Sequence, residues 1–209
     1  LAGNAHRQAA AAHVPGLEHH KDKAMNHSLT LATARSQYWQ ANGFGDDGGD
    51  SLDWIPIKLW KLTVKIPNTE GRRRAVRLHD LHHVVTGYRT DLAGESEIAA
   101  WELASGCFRW PAAFVLNQFA LAMGLVVAPR SVMQAWARGR ATRNLYRFDG
   151  VDELLPRTVD EVRSELGLDA APPKVRVRDV LAASLSAVPA AAVMLAPLAA
   201  LAAIFLQAL

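Results

Sequence analysis

Thirty consecutive residues, Val180 to Leu209, carry no charged side chain. A helix rises about 1.5 Å per residue, so roughly 20 residues cross the ~30 Å hydrocarbon layer of a bilayer. The run is long enough to span, and Lys174, Arg176 and Arg178 precede it as they would on the cytoplasmic side. Much of it is alanine, and Pro189 and Pro197 interrupt it. A hairpin, re-entrant or interfacial arrangement therefore stands beside a single span, with a buried helix pair or an oligomer contact as the soluble alternative. Residues 179–209 are read as a membrane-associating segment and 169–178, with Pro172-Pro173, as its linker.

The remainder is one domain with an N-terminal extension. Half of the 209 residues are apolar, which excludes wholesale disorder. The formal charge of +3 is too small to argue for nucleic acid, and none is expected as a partner. The single cysteine, Cys107, excludes an intramolecular disulfide and fits a reducing compartment or a membrane face turned toward one. Residues 1–27 hold five of the eight histidines without an apolar period and read as a flexible arm. No apolar core of a secretory signal follows the first charges, and a start at Leu1 reads as a trimmed or processed end.

Ser28 is placed to cap a helix running to about Ala41. The stretch from Gly43 to Asp50, GFGDDGGD, is a loop whose aspartate spacing does not match a calcium-binding loop. The β-prone text WIPIKLWKLTVKI, residues 54–66, ends in strict alternation and predicts a short hairpin or an extended segment. Helices are expected over about 71–88, 95–106, 111–128, 132–145 and 158–166, the last opening with Thr158 and Glu161 at capping-box spacing. The fold class is mainly α: a compact multi-helix domain over 28–168, a short β hairpin, and a C-terminal apolar helix or hairpin.

Chemistry concentrates in LHDLHHVVTGYRTDLAGESEIAAWE. Each helical residue turns about 100°, so positions i and i+4 lie about 40° apart. His79 and His83 therefore project from one face, as the two histidines of H-E-x-x-H metal sites do. Asp80 falls in the same arc and can bind a metal, orient a histidine or act as a base. After Gly87 stops the helix, a short loop and Gly94 lead to Glu95 at the head of the next helix, aimed back at the histidines. His79, Asp80, His83 and Glu95 form the candidate metal site, with Asp80 the candidate catalytic group. His82 lies off the arc and reads as structural. Glu97 and Glu102 read as solvent-facing or structural, with Glu102 retained as a possible partner of a metal ligand.

The pattern H-D-x-x-H-(x)11-E, from His79 to Glu95, resembles the signature of the coenzyme Q (ubiquinone) biosynthesis protein four family. Gly87-Tyr88, Gly94-Glu95, Trp101-Glu102 and the segment Val162 to Leu166 are also similar, and the resemblance covers about residues 28–168. The apolar tail departs from the usual peripheral member. The resemblance implies a mainly helical membrane protein holding a divalent metal, zinc foremost with iron or manganese as alternatives, through His79, Asp80, His83 and Glu95. It further implies other quinone-biosynthesis proteins as partners and removal of the C1 carboxyl from a polyprenylated hydroxybenzoate with hydroxylation of that carbon.

Two other classes compete with this enzyme. One is a non-catalytic, lipid-binding scaffold for a quinone-biosynthesis complex. The other is a metal-dependent hydrolase, disfavoured because aspartate replaces a peptidase's glutamate base and no histidine follows His83. A polyprenyl tail requires a greasy channel, for which Phe114, Phe119 and Met123 of the 111–128 helix are candidates beside the alternative of core packing. Arg72, Arg73, Arg74, Arg138, Arg140 and Arg143, with Arg147, are expected to contact anionic lipid. A homo-oligomer is also expected.

Overall fold

The computed structural model describes residues 29–59, 62–148 and 150–207. The proposed arm, residues 1–27, and Ser28 lie outside these residues. In chain order the elements are α1 (Leu31–Asn42), β1 (Trp54–Leu59), β2 (Leu62–Pro67), α2 (Glu70–Thr86), α3 (Leu92–Ser105), α4 (Pro111–Val127), α5 (Pro129–Ala141), a 3-10 turn (Leu145–Arg147), α6 (Val159–Leu166) and α7 (Val177–Gln207). The protein is mainly helical, and the expected hairpin is present: β1 and β2 pair antiparallel from Trp54–Pro67 down to Leu59–Leu62.

Local chemistry sets the element ends. Thr30 caps α1, its hydroxyl accepting the Thr33 N–H. The Leu31 N–H also donates to the Arg157 carbonyl, and Val159 N–H donates to that of Leu29, which ties α1 to the start of α6. The Thr158–Glu161 capping box of α6 forms as its spacing predicts. Both boundaries of α5 differ from expectation. Pro129 opens α5 instead of merely ending α4, because a missing N–H costs nothing in a helix's first turn. That helix then stops at Ala141, and Leu145 belongs to the separate 3-10 turn.

Helix α3 is the centre of the domain, packed between α4 and α5. Ile98, Ala100 and Trp101 are fully buried, and the Trp101 indole donates to Thr142 Oγ1 at 2.9 Å. Helices α1 and α6 cover α2, while α7 lies on α4 and α5. Ala183, Ala187 and Ala190 form the buried stripe of α7, and Arg140 pairs with the buried Asp179 at 2.8 Å. The C-terminal segment is one helix and not a hairpin, running through Pro189 and Pro197. Among the described residues this is the one helix long and apolar enough to cross a membrane, over Val177–Pro197, and only 17% of its most apolar stretch is buried.

Candidate metal centre

The centre begins with two histidines on one face of α2. Thr69 caps the helix, and Gly87 ends it in the left-handed conformation at φ 76°. His79 Nδ1 lies 2.7 Å from Glu102 Oε1, and His83 Nδ1 lies 3.0 Å from the Tyr88 carbonyl. An ionised carboxylate and a carbonyl only accept, so each imidazole carries its proton on Nδ1. The two Nε2 lone pairs then converge at 3.2 Å. Lone pairs held so close repel unless a proton or a metal ion lies between them.

Glu95 supplies the third side. Its Oε2 is 3.4 Å from His79 Nε2 and its Oε1 is 3.4 Å from His83 Nε2. An ion binding imidazole nitrogen at about 2.0–2.1 Å sets tetrahedral ligand atoms roughly 3.3 Å apart. The two imidazole nitrogens stand at that spacing with a different Glu95 oxygen 3.4 Å from each; taken one atom per residue, the ligands lie within 4.8 Å of one another, and His79, His83 and Glu95 can hold a metal ion. Three protein ligands also leave positions open to water or substrate.

Glu95 reaches this position because α3 starts earlier than expected. Asp91 caps it by accepting the Gly94 N–H at 2.8 Å, which places Gly94 and Glu95 in the first helical turn. Gly94 is required by close approach and not as a loop hinge. A Cβ there would sit 2.1 Å from the Arg89 carbonyl oxygen.

Seven residues beyond Glu95, and so on the same face, α3 carries Glu102. Of its two readings, solvent-facing or structural, the structural one holds: its side chain is fully buried. Oε1 accepts from His79 Nδ1 at 2.7 Å and from His82 Nδ1 at 2.6 Å, while Oε2 accepts from Asn117 Nδ2 at 2.6 Å and Tyr146 Oη at 3.0 Å. His82 is structural, as expected. Its Nε2 accepts the Leu145 N–H at 2.8 Å, so the ring is neutral with its proton directed at Glu102. A carboxylate behind a ligating histidine fixes the ring's tautomer and raises its basicity.

The charges follow from these contacts. Burial opposes ionisation of Glu102, but His79 and His82 hold its carboxyl well below the usual range. Burial likewise opposes charge on Glu95, yet His79 and His83 bring it down to about 2. For His79 burial works against protonation, and Glu102 with Glu95 overrides it, raising the imidazole well above its ordinary value. Burial lowers His82 despite Glu102.

Asp80 is not in the triangle. It is buried, and its Oδ2 accepts the Trp39 indole N–H at 2.7 Å. Burial raises its carboxyl above the ordinary value, against the pull of Trp39, His79 and His83. Asp80 nevertheless lines, with His79 and Glu95, a cavity of about 430 Å³. Tyr38, Phe44, Ile55, Ala75 and Val76 form one side of this cavity, and Ala112, Ala113, Leu116, Asn117 and Ala120 form another. Tyr38 also stacks on His83, ring centroids 5.4 Å apart. The 111–128 helix lines this cavity, but not through the residues expected to do so. Phe114 and Phe119 pack against the core, and neither they nor Met123 line the cavity.

The arginines expected at lipid divide among separate tasks. Arg73 donates to the Asp50 and Leu52 carbonyls, Arg138 to the Thr86 carbonyl, and Arg140 pairs with Asp179. Arg72 donates to Asn68 and lines the cavity, Arg74 sits over the Trp110 ring, and Arg143 is exposed. Tyr38, Asn117 and Tyr146 escaped the sequence reading. Asn117 alone offered a signal, as an amide inside an apolar helix. In comparisons with known proteins, no family model, curated protein or solved structure matches the chain.

Proposed function

We propose that this chain is a membrane-associated, metal-dependent enzyme of quinone biosynthesis that acts on a polyprenylated hydroxybenzoate, exchanging the C1 carboxyl for a hydroxyl. The observation that carries the reading is the His79–His83–Glu95 group with open positions at a largely apolar cavity, in a chain that also carries a helix of membrane-spanning length. The motif resemblance supplies the substrate class, and the basic flank of Lys174, Arg176 and Arg178 supplies the cytoplasmic placement of the site. Zinc is the foremost ion, with iron or manganese as alternatives. A bound divalent ion would supply Lewis acidity at the substrate's carboxylate.

The chain's own residues do the remainder. Glu102 and the Tyr88 carbonyl keep both Nε2 atoms available as ligands. Tyr38, Leu116 and Ala120 exclude water from the aromatic head, and Asp80, its carboxyl raised by burial, is the group at the cavity wall that can take up or deliver a proton. Replacing a ring carboxyl by hydroxyl consumes one water and releases carbon dioxide, two protons and two electrons. Dioxygen or another two-electron acceptor is therefore a co-reactant.

The test uses full-length protein loaded with zinc, iron or manganese, under oxygen, on a short-chain prenylated 4-hydroxybenzoate. Mass spectrometry should show carboxyl loss with ring hydroxylation in wild type and neither in Asp80→Asn or Glu95→Gln. Tight binding without turnover for every metal would replace the enzyme by a lipid-binding scaffold. Failure of the full-length chain to float with liposomes would remove the membrane assignment.

A further inference from the structure

A second cavity, of about 500 Å³, adjoins the first and shares Arg72, Ala112 and Tyr146 with it. Its composition is different. Four guanidinium groups line it, from Arg72, Arg74, Arg109 and Arg147, and none of the described residues lining it is acidic. These arginines come from α2, the α3–α4 loop and the 3-10 turn, so the tertiary fold brings together what the sequence separates. Arg109 and Arg147 are exposed and have no side-chain hydrogen bond or ion pair among the described residues. Arg72 donates through Nη1 to Asn68 Oδ1 at 2.8 Å, and its buried Nε–H has no acceptor among the described residues.

The floor of the cleft is firm and also electropositive. Trp110, whose indole donates to the Tyr146 carbonyl at 2.8 Å, carries Arg74 over its ring at 5.4 Å. Helix α4 begins here with Pro111 and Ala112, and no side chain caps it. Its first-turn N–H groups therefore lack intrahelical acceptors and favour negative charge. Like charges gathered in one cleft repel until an anion joins them, and the planar fork of arginine matches phosphate oxygens two at a time.

We propose that this cleft is a phosphate-binding site, separate from the metal ligands and independent of the ion they hold. The ligand is a phosphate group of charge near −2, presented either by a small soluble phosphate or diphosphate or by the headgroup of an anionic phospholipid. Both sources share the chemistry, and the cleft's opening beside the apolar cavity suits either.

The full-length protein in detergent is titrated with inorganic phosphate and with diphosphate at constant ionic strength, chloride serving as the control. In parallel it is mixed with vesicles of phosphatidylcholine alone or doped with phosphatidic acid. Wild type should bind saturably to the soluble anions or prefer the doped vesicles, and whichever arm responds identifies the source. The Arg109→Gln/Arg147→Gln variant should weaken that response roughly ten-fold or more. Arg130→Gln, an exposed control at the start of α5, should not. Metal content by elemental analysis should stay unchanged in all variants, which separates this site from the metal centre. Equal responses in wild type and the double variant, or a chloride response as large as that to phosphate, would overturn the proposal.

Discussion

At the scale of single residues, Glu102 decides more than any metal ligand does. One buried carboxylate receives four donors, and two of these belong to histidines with different duties: His79 faces the ion triangle, while His82 holds the Leu145 N–H. Glu102→Gln keeps the shape but sets an amide N–H against existing donors. It is expected to lower metal affinity by roughly 10–100-fold and stability by about 3 kcal/mol, read by competition with a chromophoric chelator and by urea unfolding. His82→Ala should destabilise by about 2 kcal/mol through the orphaned Leu145 N–H and yet retain its metal. A His82→Ala protein that loses metal as completely as Glu102→Gln would contradict this division. The pairing of His79 and His83 was legible because one helix relates them directly, and Glu95 because a short loop returns the chain toward them. Glu102 was legible only in part: its register with Glu95 was visible, and so was its place in the apolar run from Ile98 to Leu103. Its partners Asn117 and Tyr146 come from distant elements, and no local pattern announces which buried carboxylate such groups will surround.

At the scale of elements, the periodic helices and the hairpin were legible, and the boundaries moved wherever a cap or a close approach competed with hydrophobic period. Gly94 shows the physics. Glycine in this stretch suggests a loop, but Asp91 captures the Gly94 N–H and starts α3 three residues before Glu95. Gly94→Ala is expected to push the first turn of α3 away from the Arg89 carbonyl, costing about 1–3 kcal/mol. Because Glu95 is the next residue, the ion's third ligand moves with it. Metal affinity should fall together with thermal stability, measured by elemental analysis after dialysis and by calorimetry. Unchanged metal content in a destabilised protein would show that the triangle does not depend on how α3 begins. The cavity wall teaches the same lesson in side-chain terms. Helix α4 was identified by its apolar content, but its large residues Phe114 and Phe119 went to the core, and the small ones, Ala112, Ala113 and Ala120, left the space.

At the scale of the whole molecule, the centre couples global stability to pH. His79 is raised above the ordinary histidine value of about 6.5. In the metal-free protein it contributes stability that is fully present below about pH 6.5 and is lost as pH rises through the raised folded value. Glu95 and Glu102 are lowered, so their contribution is present above about pH 4.3 and fades only as pH falls toward their depressed values. An ion requires the same His79 Nε2 that the proton occupies. The melting temperature of chelator-treated protein should therefore drop as pH rises above about 6.5, while the gap between metal-loaded and metal-free protein widens. A gap that is constant over that range would show that no proton leaves His79 when the ion binds. The four-donor arrangement around Glu102 also bears on maturation. During synthesis α2 and α3 leave the ribosome before Asn117 and Tyr146 exist, so a nascent chain presents Glu102 with only its histidine donors. The ligand geometry is complete only in the finished domain. Any ion met during translation would therefore find histidines backed by a carboxylate that still lacks two of its four donors.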